Sequence, residues 1–256
     1  MNFPKLLLQI LYVLLLTAML LGVPRLAAIA ANQFDFAAID PEGAFAWLSV
    51  RHIVQGLIIL VLMVIISRVS NIRFGFGWGD RQVGWFYVRV IALIFLGYTV
   101  VSLIIILLTR SYPGFQYPLT ARNIAGYLGF QALLTGPSEE LIFRAFAMTM
   151  LSLMITGVVV PGDTGFGRVI LKIFGGEISI VNLIAAVIFG LAHMSFKFNP
   201  FSVSFSTFQV IYATMLGLFY GVCYERSGSM IYPMIMHSIV NVAAVGVSIM
   251  ASVILG

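Results

Sequence analysis

Charged side chains are scarce in this chain: 14 Lys and Arg and 9 Asp and Glu stand among 256 residues, 9% of the total. Soluble domains carry closer to a quarter, so that class is excluded, and a mean hydropathy of +1.07 agrees. Cysteine is almost absent. Cys223 stands alone, which rules out an intrachain disulfide, a thiolate zinc cluster and a dithiol redox pair. Near a span end it reads as a small apolar filler rather than a nucleophile or a palmitoylation site. Also lacking is any alternation of apolar and polar residues in segments of about ten, the mark of a transmembrane β-barrel. Lipid requires backbone hydrogen bonds to be closed internally, which leaves helices. The basic residues behind the net charge of +5 are scattered at span ends rather than clustered, so no nucleic-acid partner is expected and membrane lipids are.

What the chain has in quantity is long apolar runs. Runs of about 18 or more read as membrane spans, and seven are expected, at about residues 6–31, 52–67, 86–108, 123–156, 178–196, 203–224 and 230–255. The fourth contains Gly136-Pro137, which should kink or break it, because Pro removes a helical donor and clashes with the preceding turn. Two segments there would make eight. The start, "MNFPKLLLQILYVLLLTAMLLGVPRLAAIAAN", has the outline of a signal peptide, but its apolar stretch is longer than an h-region and further spans follow. It reads as the first membrane helix. The expectation is an all-α, polytopic helical membrane protein with a polar site in the bundle interior. Residues 1–120 hold three N-terminal spans, and residues 121–256 hold a core that carries the intramembrane polar groups.

The loops suggest an orientation in the cell membrane. Residues 32–51 carry Asp35, Asp40 and Glu42 against one Arg, whereas residues 68–89 carry Arg68, Arg73, Arg81 and Arg89 against Asp80. The positive-inside rule places the second loop, and by alternation the N-terminus, in the cytoplasm. "GFGWGDRQVGWFY", residues 75–87, reads as an interfacial aromatic belt. "GRVILKIFGGE", residues 167–177, reads as a short amphipathic turn lying on the membrane.

Three polar clusters interrupt the apolar runs: Glu139, Glu140 and Arg144 in "GPSEELIFRAF", His193 in "AVIFGLAHMSF", and His237 with Asn241 in "PMIMHSIVNVA". His52, the third histidine, follows Arg51 at a span end and reads as interfacial. Glu140 and Arg144 are four apart and can pair on one helix face. Glu139 is turned about 100° away. Phe189 precedes His193 by four, which puts a ring against the imidazole. An ionised side chain at mid-membrane costs roughly 2.5–3.5 kcal/mol on insertion scales. The Glu140–Arg144 pair offsets part of that, and Glu139 is left needing a donor or a water-filled cavity. Two imidazoles, an amide and a free carboxylate can hold and activate one water. A carboxylate base and oxyanion donors are the parts hydrolysis needs. Two His and one Glu (His193, His237 and Glu139) also form a possible set for a divalent metal such as zinc, although no His-Glu-x-x-His helix is present. Such clusters can serve as packing glue, and transporters also keep carboxylates, His and Arg at mid-membrane. Spacing alone does not separate these readings.

The three clusters, in this order, resemble a known family. "EELIFR" matches Glu-Glu-x-x-x-Arg, "FGLAH" matches Phe-x-x-x-His and "HSIVN" matches His-x-x-x-Asn. This looks like the CPBP family of intramembrane proteases, also called the Abi family, which includes the type II CAAX prenyl endopeptidase. The similarity covers about residues 136–241, and "YERSGSMIYPMIMHSIVN" resembles the stretch before the last motif. Ala145 departs from the Gly often found after the Arg. The resemblance implies an intramembrane endopeptidase that cuts a membrane-associated protein or peptide. Glu139 would be the base, His193 would help hold the water, and His237 and Asn241 would form the oxyanion site. Glu140, Arg144 and Phe189 would support them. Family members have been described both as metalloproteases and as metal-independent glutamate proteases. The alternative is a non-proteolytic membrane protein of the same fold, a transporter or a bacteriocin immunity or binding protein.

Overall fold

Long apolar runs become long helices. The computed structural model of the chain describes residues 3–157, 169–173, 176–198 and 200–256. Among these, five helices are long and apolar enough to cross a membrane: α1 (Phe3–Ala31), α2 (Ala46–Ser70), α3 (Arg81–Thr109), α8 (Thr207–Ser227) and α9 (Ile231–Leu255). Side-chain caps set where several begin. The Asp80 carboxylate accepts from Val83 N–H at the start of α3, and the Ser206 hydroxyl accepts from Gln209 N–H at the start of α8. At the start of α2, the Asp40 carboxylate accepts from the backbone N–H groups of Ala44, Phe45 and Ala46 at 2.7–2.8 Å. Such caps satisfy donors that the helix itself cannot.

The fourth run is helical over its expected length, without the break into two segments. Residues 121–156 are helical throughout, in the order α4 (Ala121–Phe130), a π-helical piece Gln131–Thr135, α5 (Gly136–Glu140), a second π-helical piece Leu141–Met148, and α6 (Thr149–Thr156). Pro137 therefore does not break the run. Proline harms a helix by its missing N–H and its ring against the turn before. The wider π turn directly upstream gives the ring room and shifts the hydrogen-bond pattern where a donor is lost.

The fifth expected span differs. Only Ile180–Leu191, 12 residues, forms helix α7. Beyond it the chain turns and enters a hairpin of β3 (Ser195–Phe198) and β4 (Phe201–Ser204), with Phe196 opposite Val203. A second hairpin, β1 (Val169–Ile173) with β2 (Gly176–Ser179), precedes α7, where a flat amphipathic turn was expected. Gly167, Arg168, Phe174 and Gly175 of that stretch lie outside the described residues. β-branched residues on either side of a Gly pair suit paired strands. The chain is thus an all-α membrane protein with two small hairpins among the described residues, and five of its helices there are long and apolar enough to span.

The helices pack in pairs, α1 on α2, α3 on α9 and α7 on α8. Gly84 allows α3 its close approach, since a Cβ there would lie 2.2 Å from the Tyr232 ring of α9. Residues 142–148 are buried on every side. They form the middle of the largest core cluster, with Leu16 and Leu20 of α1, Ile59 and Met63 of α2, and Val181 and Phe189 of α7. The outer faces carry Leu93, Leu108, Phe208 and Met215, as a lipid-facing surface requires. Arg144 therefore sits within an enclosed helical segment, with Glu139 and Glu140 in the turn just before it.

Candidate active site

Glu140 and Arg144 are both fully buried. The Arg144 Nε lies 2.9 Å from Glu140 Oε2. The guanidinium is also covered by aromatic faces, with its carbon 4.5 Å from the Phe189 ring centre and 5.4 Å from that of Tyr220. Cation–π contact is worth most where water is excluded. Glu140 has a second partner. Its Oε1 accepts from His237 Nδ1 at 2.8 Å, so the carboxylate bridges Arg144 on its own helix and His237 on α9.

That bond sets the tautomer of His237. With Nδ1–H committed to Glu140, Nε2 is the nitrogen left for chemistry, and it lies 3.8 Å from Glu139 Oε2. The ring is held between Tyr220, stacked at 5.3 Å, and the edge of Phe189 at 5.9 Å. His193 is fixed in the same way. It sits in the turn just past α7, and its Nδ1–H donates to Phe189 C=O at 2.9 Å, while the Phe189 ring meets the imidazole edge-on at 4.9 Å. Both imidazoles are thereby oriented by an acceptor on Nδ1, a common way of fixing which nitrogen acts.

Glu139 has no Arg within ion-pair distance in the contacts between described residues. Its side chain is 19% exposed, and it lines a cavity of about 400 Å³ together with His193. His237, His52, His193 and Arg51 act on it electrostatically. Asn241 lies one turn beyond His237 on the same face of α9. Among the described residues it makes no hydrogen bond to Glu139, Glu140, His193 or His237. Oxygen of Glu139 and two imidazole nitrogens are donor types that zinc accepts. Yet among the described residues no three His, Cys, Asp or Glu side chains are close enough together to hold a metal ion. The set Glu139, His193 and His237 does not fit that role as placed.

Sequence reasoning passed over α2. His52 is not interfacial; it is buried, with Nδ1 2.8 Å from Ser138 Oγ. Gln55 Nε2 donates to both His52 Nδ1 and Ser138 Oγ at 3.0 Å. Ser138 immediately precedes Glu139, so this cluster pins the helix that carries the free carboxylate. Arg51 and Gln55 also line the cavity, as does Arg25 of α1. The available signal was the His-x-x-Gln spacing, two polar residues on one face of an apolar helix, and an Arg within the first span.

No curated protein and no solved structure matches the chain. One family model does, described as type II CAAX prenyl endopeptidase Rce1-like. It matches residues 121–243, the segment holding all three motifs and every residue of the Glu139–Glu140–His193–His237 cluster, and it bears out the resemblance of this chain to the CPBP family.

Proposed function

We propose that the chain is an intramembrane endopeptidase, CAAX protease-like, in which Glu139 activates water. The observation that carries this is the unequal treatment of two adjacent carboxylates. Glu140 is consumed by Arg144 and His237, while Glu139 keeps an oxygen toward a cavity that it shares with His193. A general base must reach the water that it deprotonates. His193, with Nδ1–H held by Phe189, offers Nε2 as the second partner of that water.

The hydroxide formed attacks the carbonyl carbon of the scissile bond, and the proton taken by Glu139 passes to the departing amine. His237 can stabilise the oxyanion through Nε2 only in its imidazolium form, since Nδ1–H is already given to Glu140. One such donor is commonly worth about 3–4 kcal/mol. Asn241, one turn on, is proposed as the second donor. No step is routed through a metal. The substrate is proposed to be a membrane-associated protein or peptide.

The test is a mass-spectrometric cleavage assay on a peptide library with purified wild type, Glu139→Gln and His193→Ala, with and without chelator. Cleavage by wild type and a fall of about 10²–10⁴-fold in each variant are expected. Retained turnover in both variants would sink the assignment. Transport or partner binding that survives Glu139→Gln, with no cleavage at all, would favour a non-proteolytic protein of this fold.

A further inference from the structure

The cavity beside Glu139 contains polar groups that water activation does not use. Arg51 Nε is removed from solvent and has no hydrogen-bond partner among the described residues. The guanidinium contacts the Trp47 ring at 5.6 Å, and no carboxylate lies within ion-pair distance of it among those residues. Among the described residues the carboxylate that acts on it is the more distant Glu139. Arg51 as a whole is half-buried, and a guanidinium partly withdrawn from water gains from an anion. Gln55, 1% exposed, turns its Nε2 toward His52 and Ser138. That leaves Oε1 buried and without a donor. Among the described residues, the same cavity thus presents a cation that lacks an anion and an acceptor that lacks an N–H.

We propose that Arg51 and Gln55 form a substrate subsite that takes a peptide carboxylate, on the guanidinium, together with the N–H of the adjoining peptide bond, on Gln55 Oε1. The inference rests on the peptidase reading of Glu139. A phosphate would satisfy Arg51 but would set acceptor against acceptor at Gln55. A peptide bearing a carboxylate supplies both missing partners. Guanidinium–carboxylate pairs are planar and two-pronged, and Arg25, which also lines the cavity, adds positive potential there. Both subsite residues lie on α2, outside the matched residues 121–243. Substrate selection is therefore assigned to the N-terminal helices and water activation to the segment that follows them.

The carboxylate can be the C-terminus of the peptide or an acidic side chain, and the experiment separates the two. Full-length Glu139→Gln protein, unable to turn over, is titrated with N-acetyl-Ala-Leu-Ala-Leu-Ala-Leu as the free acid, as the C-terminal amide, and as an amide ending in Glu. The free acid is expected to bind about tenfold more tightly than the plain amide, the scale of one charge-assisted hydrogen bond. If the Glu-ended amide binds as tightly as the acid, the subsite takes side-chain carboxylates; if it binds as the plain amide does, it takes the C-terminus. Adding Arg51→Gln should erase the preference, and adding Arg51→Lys should retain part of it, which distinguishes loss of the site from misfolding. Equal binding of acid and plain amide, no binding of any form, or a preference that survives Arg51→Gln overturns the proposal. Wild-type cleavage is measured in parallel. Cleavage without a carboxylate preference removes the subsite and leaves the peptidase, whereas a preference without cleavage does the reverse.

Discussion

At the scale of the residue, Glu139 and Glu140 differ only by the turn of one helical position, and their surroundings divide the work. Glu140 is tied at both oxygens. Arg144→Ala would leave a buried carboxylate with only His237, so it should destabilise the protein by about 3–5 kcal/mol, read as a lowered melting midpoint in detergent. Glu140→Gln keeps an acceptor for His237 but removes the charge that orients the imidazole. It should lower kcat by about 10²-fold while KM moves less, which steady-state kinetics on any cleaved peptide would show. The pairing of Glu140 with Arg144 was legible because four-residue spacing puts two side chains on one face. The bond from Glu140 to His237 was not, because it joins residues 97 apart. His52 was misread for a related reason: a residue beside an Arg at the edge of an apolar run looks interfacial, and only the packing of α2 on α5 buries it.

At the scale of the element, Gly136-Pro137 predicts a kink or a break, and the chain stays helical there with a π turn directly upstream. Local propensity shows where a helix is stressed, but the way the stress is absorbed depends on neighbours that hold it in place. The entry to α2 depends on Asp40. Burial pushes the Asp40 carboxyl upward, but the N–H groups of Ala46, Phe45 and Ala44, with Arg122 nearby, outweigh this and hold it below its ordinary value of 3.8. A carboxyl lowered on folding stabilises the protein above its unfolded value, and that contribution is lost as pH falls through the folded one. Wild type should therefore lose melting stability as pH falls below about 4, and Asp40→Ala should flatten that limb and cost about 1–2 kcal/mol at neutral pH. A wild-type melting curve unchanged between pH 5 and 3 would count against it. The hairpins around α7 were the least legible elements, since short β-branched stretches in an apolar chain look the same as the end of a span.

At the scale of the whole molecule, the membrane class followed from composition, whereas the number of crossings did not, because apolarity reports burial in lipid and in protein alike. We propose that the loop between α2 and α3 is cytoplasmic. In a Cys223→Ser background, which removes the one buried thiol, Gly77→Cys should react with an impermeant maleimide only from the cytoplasmic face, and Gln33→Cys only from the other. The reverse pattern would invert the orientation. The shortness of α7 has a further consequence. Its 12 residues reach roughly 18 Å at 1.5 Å per residue, against a hydrocarbon thickness of about 30 Å. His193 hangs just past the end of that short helix, and we propose that lipid thins around α7 there or that water reaches into it. Turnover should then depend on acyl-chain length, higher in proteoliposomes of short-chain than of long-chain phosphatidylcholine, and a flat dependence would speak against it. The bilayer's own thickness would then be a setting of the proposed activity, read out at one histidine.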